Sequence, residues 1–400
     1  MNSQLRLPFY LTWQYIRRGK KWTLALTLMM MTIAFINLIF ISSLFAGIID
    51  GSNKQIINTM TGDIYITPPN GQDLIYNKDK IVRDIEAVDG VLAASAQIRV
   101  PATLEYNHLR GNWQILAINP DDERLVTNLA DKIVSGTFLT QDDEDQIIIG
   151  RQIAGGDGVE ENAFSFKGAK VGEKVTMSFN GFSKEFTIKG ISYTKFLESD
   201  KRAFISEKAL SKIIPSTQNS ATTITVKTKD NTSSETTVAI IKSKLDNSNV
   251  YLWSEVAGMM KSVGESFVSI NVLMSFVGVL IAAVTIFIVI YVDIVNKKKQ
   301  IGILRAIGIK PYIIILSYVI LSAVYSVIGV ALGTVIFKFA IIPYFQTHPF
   351  VLPICDAVLV LSNTEYIIRA ETIMWVSVIS GLIPATITVR SNLLDAILGK

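Results

Sequence analysis

Asp142-Asp143-Glu144-Asp145 sets four carboxylates side by side, and carboxylates are the side chains that hold hard divalent cations. A calcium loop alternates its ligands and turns on a central glycine. This run does neither, so a solvated acidic loop is the better reading. Gly155-Gly156-Asp157-Gly158 does not stand between a strand and a helix as a dinucleotide-binding turn must, and a flexible insertion over 155–168 explains it more simply. Histidine occurs only at His108 and His348, and Cys355 is the single cysteine. Internal disulfides and cysteine metal cages are thereby excluded, and histidine acid–base chemistry has little to work with. The patterns of a phosphate-binding loop, a zinc protease and a nucleophile elbow do not occur. These clusters yield no catalytic residue and no metal ligand.

A further constellation suits mechanical rather than covalent work. Asn296–Pro311 reads NKKKQIGILRAIGIKP. Lys297, Lys298 and Lys299 suit a membrane surface. Ile301, Leu304 and Ile307-Gly308 then recur at helical spacing and form an apolar stripe on a short helix. Pro311 can open the following helix, because the first turn needs no N–H donor. Such a helix, with small Ala306 and Gly308, is suited to dock in a groove on a partner. The plainer alternative is a basic loop joining two membrane spans.

The elements that position this segment are apolar runs at about 22–49, 266–295, 312–338 and 371–389. Roughly 20 apolar residues carry a helix across the hydrocarbon core, and a span in lipid must be helical to satisfy its own backbone. Half of the residues are hydrophobic and 18% are charged. The net charge of +4 sits beside the apolar runs and forms no basic face, so it is not a nucleic-acid signature. Arg6, Arg17, Arg18, Lys20 and Lys21 precede the first span; Lys297–Lys299, Arg305 and Lys310 lie in the 296–311 segment; Arg390 and Lys400 follow the last span. The 339–370 connection offers only Lys338, at its edge, and Arg369, against Asp356, Glu365 and, at the edge of the last span, Glu371. By the positive-inside rule, segment 1–21, segment 296–311 and tail 390–400 are expected in the cytoplasm, with 50–265 and 339–370 outside. A cleaved signal peptide in place of the first span would need an apolar region far shorter than this one.

Residues 50–265 alternate short strands with helices. Gly62–Thr67 reads as a strand, Asp79–Val88 as a helix with Ile81, Ile85 and Val88 on one face, and Ile98–Leu104, Trp113–Ile118 and Ile147–Ile149 as strands. Lys174–Phe179 and Lys184–Ile191 flank Asn180-Gly181, a strong hairpin signal. Thr222–Thr228, Thr236–Leu245 and Val250–Trp253 read as strand, helix, strand, which suits a βαβ unit. The fold class is an α-helical membrane protein with one span, a large α+β extracytoplasmic domain of two lobes, then three spans. In the third span Ser322, Ser326, Gly329 and Gly333 permit close helix approach, either to the second or fourth span or to a second copy. Asn37 in the first span is expected to hydrogen-bond another helix. Glu255–Phe267 keeps helical spacing straight into the second span.

This order resembles the FtsX/MacB-type ABC transporter permeases, also called type VII or mechanotransmission transporters, and in length and layout the lipoprotein-releasing permeases LolC and LolE. The most specific stretch is Lys297–Ile309, KKKQIGILRAIGI, which is similar to the family's coupling segment although Gln300 stands where the family commonly has Glu. Pro384–Lys400 is similar to the family's closing tail, with Leu393-Leu394 in place of its proline, and Leu11–Lys21 is similar to its opening. The resemblance implies a non-catalytic subunit in the cytoplasmic membrane. Ile301, Gly302, Leu304, Arg305, Ile307 and Gly308 would couple it to a cytoplasmic ABC ATPase dimer that carries the ATP and magnesium, none being bound here directly. It further implies pairing with a second permease copy or paralogue, contact with membrane lipids and, potentially, an extracytoplasmic accessory protein. Release of lipids or lipoproteins, efflux of peptides or drugs, and activation of a cell-wall hydrolase remain alternatives, beside a membrane-anchored receptor or enzyme. The tight turn at Asn180-Gly181 leaves no room for the long hook by which LolC recruits its chaperone.

Overall fold

The computed structural model describes residues 3–19, 21–159, 162–229, 234–245, 249–256, 258–352 and 355–390, with backbone alone at 3–5, 162, 234, 256, 258–267 and 390. The described residues divide into two compact units. One comprises the segments up to Ile49, Glu265–Phe350 and from Ala357 onward; the other comprises Asp50–Gly264 with Val351–Asp356. The tail motif beyond residue 390 lies outside the described residues.

The chain opens with helix α1 (Ser3–Arg18), which sequence reading left without structure, and continues into α2 (Lys21–Ile56), closed by a π-helical turn at Ile57–Thr61. The second unit then begins with β1 (Ile64–Thr67), β2 (Ile75–Tyr76) and α3 (Lys78–Glu86). A long hairpin follows, β3 (Val91–Tyr106) and β4 (Leu109–Ile118). Its turn places Asn107 at φ 45° and His108 at φ 67°, the left-handed pair of a two-residue hairpin without the glycine that would have announced it. Helix α4 (Pro120–Val126) is capped by Asn119, whose side chain accepts from the Asp121 N–H at 3.2 Å, with Pro120 in the first turn. Next come β5 (Ile133–Gly136), β6 (Gln146–Gly150) and the single turn α5 (Arg151–Ala154).

Strands β7 (Lys174–Phe179) and β8 (Phe182–Ser192) form the expected tight hairpin, with Asn180 at φ 44° and Gly181 at φ 83°. They lead through α6 (Leu197–Asp200) to β9 (Arg202–Ser206) and α7 (Glu207–Ile213), which Ser206 caps by accepting from the Ala209 N–H at 3.0 Å. The unit closes with β10 (Ser220–Ala221), β11 (Thr223–Thr228), α8 (Ser234–Lys244), β12 (Asn249–Leu252) and α9 (Trp253–Val256).

Strand pairing makes the two lobes explicit. In the first lobe the order is β12-β1-β11-β3, and β1 runs antiparallel to both β11 and β12. The expected βαβ unit is therefore split: β11 and β12 are parallel, but β1 lies between them. Ile85 and Val88 from the α3 segment and Val238 and Ile241 from α8 cover the apolar face of this sheet. In the second lobe β3 pairs β4, β4 pairs β9, β9 pairs β6, β6 pairs β8, β8 pairs β7, and β7 returns to β3. That circuit is a closed barrel, which removes sheet edges. Val100, Ile115, Ile147, Val175, Phe186 and Ile205 belong to its core. Phe166 also joins this core, with Tyr106 at 5.4 Å and Trp113 at 5.0 Å between ring centroids. The described part of the glycine-rich insertion is thus anchored by Phe166, not free, and its backbone N–H donates to Ile153 O at 2.9 Å.

The acidic run is solvated at Asp142 and Asp145, whose side chains are largely exposed, and tethered at Asp143, which is nearly buried. Asp142 pairs Lys208 at 3.3 Å, Asp143 pairs Lys189 at 2.5 Å, Glu144 pairs Lys212, and Asp145 pairs Lys184 at 2.7 Å. Lysine ammonium groups pair with these carboxylates and tie the loop to α7 and β8. They hold Glu144 and Asp145 below their ordinary carboxylate range.

The remaining helices belong mainly to the first unit: α10 (Gly258–Asn296), α11 (Lys298–Ala306), α12 (Pro311–Ile336) and, beyond a π-helical turn at Phe337–Ile341, α13 (Ile342–Thr347). After the short strands β13 (Phe350–Val351) and β14 (Asp356–Ala357), α14 (Asn363–Arg390) ends the described chain. Lys21–Thr61, Val268–Asn296, Pro311–Thr347 and Asn363–Val389 are long and apolar enough to cross a membrane. Gly329 and Gly333 of α12 meet α2, not the second or fourth span. A Cβ at Gly329 would lie 2.7 Å from Met31 Cβ and 3.2 Å from its carbonyl carbon; one at Gly333 would lie 2.7 Å from Phe35 Cδ1. Ser326 is buried beside them on α12. Asn37 is exposed on the side of α2 that carries Trp22, Leu26, Met29 and Ile33, and makes no hydrogen bond among the described residues.

Candidate functional site

The candidate site is α11 with the turn that follows it. Leu304, Ile307, Gly308 and Ile309 close this helix in one motif. Gly308 adopts φ 95°, its N–H donates to Arg305 O at 3.0 Å, and the Ile309 N–H donates to Leu304 O at 3.1 Å. This is the paired 5→2 and 6→1 bonding of a Schellman C-cap, completed by apolar residues at the two ends of the longer bond. Leu304 and Ile309 both pack against the core of the membrane unit. The sequence LRAIGIKP therefore encodes a helix stop, an apolar staple, and Pro311 as the start of α12.

The stripe read from the sequence is divided by this arrangement. Ile301 is 1% exposed and Gly302 is buried, both turned into the membrane unit, and Leu304 and Arg305 are half-buried. Ile303, Ala306, Ile307 and Gly308 are exposed, with Ile307 at 74%. One side of α11 fixes the helix, and the other leaves two isoleucines exposed at i and i+4.

Its N-terminal end is fixed by residues that spacing alone did not single out. Asp293, a lone acid in the second apolar run, pairs Lys297 at 2.7 Å, and both side chains are largely buried. Lys297 Nζ also lies 5.1 Å from the Tyr15 ring centroid, and Tyr15 stacks on Tyr318 at 5.2 Å. Thr12 Oγ1 lies 2.9 Å from Ser317 O and 3.0 Å from Pro8 O, so its hydroxyl links α1 to α12. Lys297 is thus a structural pin at the α10–α11 corner, not a surface lysine. An acid four residues before a lysine near a span end is the signal that could have found it. The charged pair Asp293–Lys297 serves to hold this corner of the site together.

Comparison with known proteins supplies the family. Residues 24–244 match the MacB-like periplasmic core domain, and residues 272–392 match the FtsX-like permease C-terminal region. A relative in Staphylococcus haemolyticus (strain JCSC1435), HrtB, assigned by name to a hemin transport system as its permease, is 25% identical over 350 residues, covering 84% of this chain and 87% of that protein. The extracellular domain of the noncanonic ABC-type transporter YknZ from Gram-positive bacteria aligns at 14% identity and TM-score 0.36, covering 47% of this chain and 98% of that domain. The periplasmic region of MacB from Actinobacillus actinomycetemcomitans aligns at 13% identity and TM-score 0.37, covering 51% of this chain and 95% of that region.

Proposed function

We propose a mechanism from one premise: this chain belongs to the FtsX/MacB-like ABC transporter permeases, a multi-pass membrane family that works with a partner ATPase and carries an extracytoplasmic domain. Two permease chains, identical or paralogous, pair in the cytoplasmic membrane with both termini and α11 in the cytoplasm. Each lays the exposed side of α11 into one subunit of an ABC ATPase dimer. ATP and magnesium stay on that partner, and this chain contributes no catalytic group. Closure of the ATPase displaces α11, the spans carry the displacement across the membrane, and the outer domain acts on a cargo that need not traverse the bilayer as a free solute.

The observation that carries this reading is the two-sided build of α11. A connecting loop needs neither a Schellman stop nor an exposed isoleucine pair, and both suit a helix that is rigidly backed and meets a groove. For the cargo we propose an amphiphile that partitions into the membrane, such as a lipid, a lipoprotein, an apolar peptide or a drug. The name of HrtB adds a hemin-like macrocycle to that class. The two-residue turn between β7 and β8 argues against capture of a chaperone on a long hook.

The test is affinity purification from native membranes in mild detergent. A stoichiometric ATPase should accompany the wild-type chain and be lost from Ile303→Asp and Ile307→Asp variants that retain wild-type melting behaviour. Retention of the ATPase by both variants refutes the docking face. A wild-type preparation lacking ATPase, under conditions that preserve other ABC complexes, moves the reading to an extracytoplasmic receptor.

A further inference from the structure

A cavity of about 450 Å³ lies within the membrane unit where α1, α2, the end of α10, α11 and α12 meet. Arg18, Asp293, Lys297, Gln14 and Gln300 are among its lining residues. Three features define it. Arg18 makes no ion pair or hydrogen bond among the described residues, whereas Lys297 is already committed to Asp293 at 2.7 Å. The charged lining therefore sums to one positive charge, that of Arg18. Gln14 Oε1 is buried and has no hydrogen-bond partner, an acceptor awaiting a donor. Finally, α1 turns Phe9 at 54%, Tyr10 at 59% and Trp13 at 62% exposure away from the unit while Thr12 holds it to α12. Exposed aromatics on a helix beside a span are what anchors a helix in the headgroup region of a leaflet.

We propose that this cavity binds the headgroup of a glycerophospholipid from the cytoplasmic leaflet. The phosphodiester carries a single negative charge, matching the one uncommitted cation, and an arginine fork suits its two free oxygens. A hydroxyl or ammonium group beyond the phosphate donates to Gln14 Oε1. The acyl chains follow the apolar outer side of α2, which begins at Trp22 next to the cavity lining. Basic pockets between spans on the cytoplasmic side are suited to such headgroups. Because Gln300 lines the cavity and lies on α11 immediately before Ile301, an occupant touches the candidate coupling helix directly. The proposal rests on the sidedness given above but not on ATPase docking, and its test contains no ATPase.

The full-length chain is delipidated in detergent and titrated with phosphatidylglycerol, phosphatidylethanolamine and phosphatidylcholine, with native mass spectrometry as the readout. One phosphatidylglycerol or phosphatidylethanolamine per chain is expected, and weaker retention of phosphatidylcholine, whose quaternary ammonium offers no N–H donor. Arg18→Gln and Gln300→Glu should each weaken binding about tenfold, the scale of one charge-assisted contact. Arg18→Lys should restore much of it, and Arg6→Gln, remote in sequence on the same helix, should bind as wild type; melting curves confirm that each variant is folded. Binding by folded Arg18→Gln and Gln300→Glu variants that equals wild type overturns the proposal. So does full displacement of the lipid by excess inorganic phosphate, which would assign the cavity to a soluble phosphate.

Discussion

Replacing Gly329 by alanine should destabilise the membrane unit more than the same change at Gly333 or Gly278, and the contact geometry sets the scale. An added Cβ there falls 2.7 Å from Met31 Cβ, 3.2 Å from Met31 C and 3.3 Å from Thr32 N. Ordinary carbon–carbon contact begins near 3.5 Å. The overlap is with main-chain atoms of α2 that no rotamer change can move, so the two helices must separate. Overpacking of this kind costs about 1–3 kcal/mol, and the gain in helix propensity on replacing glycine by alanine returns at most about 1 kcal/mol. Gly329→Ala should therefore lose about 1–2 kcal/mol net. At Gly333 the tightest contact is the Phe35 ring edge, which can shift, and the net cost should be about half as large. At Gly278 on α10 the nearest atom is Leu38 Cδ1 at 3.4 Å, so alanine there should be neutral or stabilising by up to about 1 kcal/mol. Reversible unfolding of the full-length chain in mixed micelles with increasing sodium dodecyl sulfate measures all three. Equal effects at the three positions, or a Gly329→Ala variant within about 0.5 kcal/mol of wild type, would refute the close α2–α12 approach.

Other expectations are briefer. Gly308→Ala meets no atom within 4 Å, so its cost is the φ of 95° alone, about 1 kcal/mol, and hydrogen exchange over 301–310 should quicken while the rest of the unit is unchanged. Glu123 accepts from Ser95 Oγ at 2.7 Å, Gln97 Nε2 at 3.0 Å and Thr127 Oγ1 at 3.0 Å in the outer domain. Glu123→Ala should strand these donors and lower the outer domain's calorimetric stability by about 3 kcal/mol, and Glu123→Gln by less. Burial raises the Asp200 carboxyl from 3.8 to about 6, against hydrogen bonds from Thr194 that pull it back. The folded state therefore binds the proton more tightly than the unfolded chain, and this contribution is complete below pH 3.8 and lost as pH rises through about 6. Asp200→Asn should abolish that slope in calorimetric titrations of the full-length chain, and an unchanged slope would show that another group carries it.

Periodicity and apolar length were enough to read four spans, the intervening α+β domain and the β7–β8 hairpin, because those features are written in local composition. The β3–β4 hairpin escaped full definition because Asn107-His108 reaches the same left-handed turn without glycine. The barrel was hidden for a different reason: closure depends on β7 returning to β3 across a large sequence separation, which no local pattern encodes. At the candidate site, helical spacing placed Ile301, Leu304 and Ile307 on one apolar stripe, whereas Ile301 is buried and Ile307, just past the end of α11, is exposed. That depended on Asp293 pinning Lys297 and on Ile309 pairing with Leu304 across the glycine. Helix α1 was missed because its weak apolar content crosses nothing and its order comes from contacts with α12.

Strand β3 serves both lobes of the outer domain, pairing with β11 through its first half and with β7 near its end, so a single uninterrupted beam about 50 Å long runs from sheet to barrel. On that edge residues 98–102 pair with no strand: Arg99 donates its N–H to Thr222 Oγ1 at 2.9 Å, and Pro101, which offers no N–H, sits in the gap. The opposite edge is paired with β4 only from Gln97 to Tyr106, so the sheet holds β3 over 91–97 and the barrel holds it over 97–106, and the two grips meet at Gln97. Load passed along β3 from one lobe to the other crosses at that residue from β11 on one edge to β4 on the other. In that sense β3 is a lap splice between the two lobes.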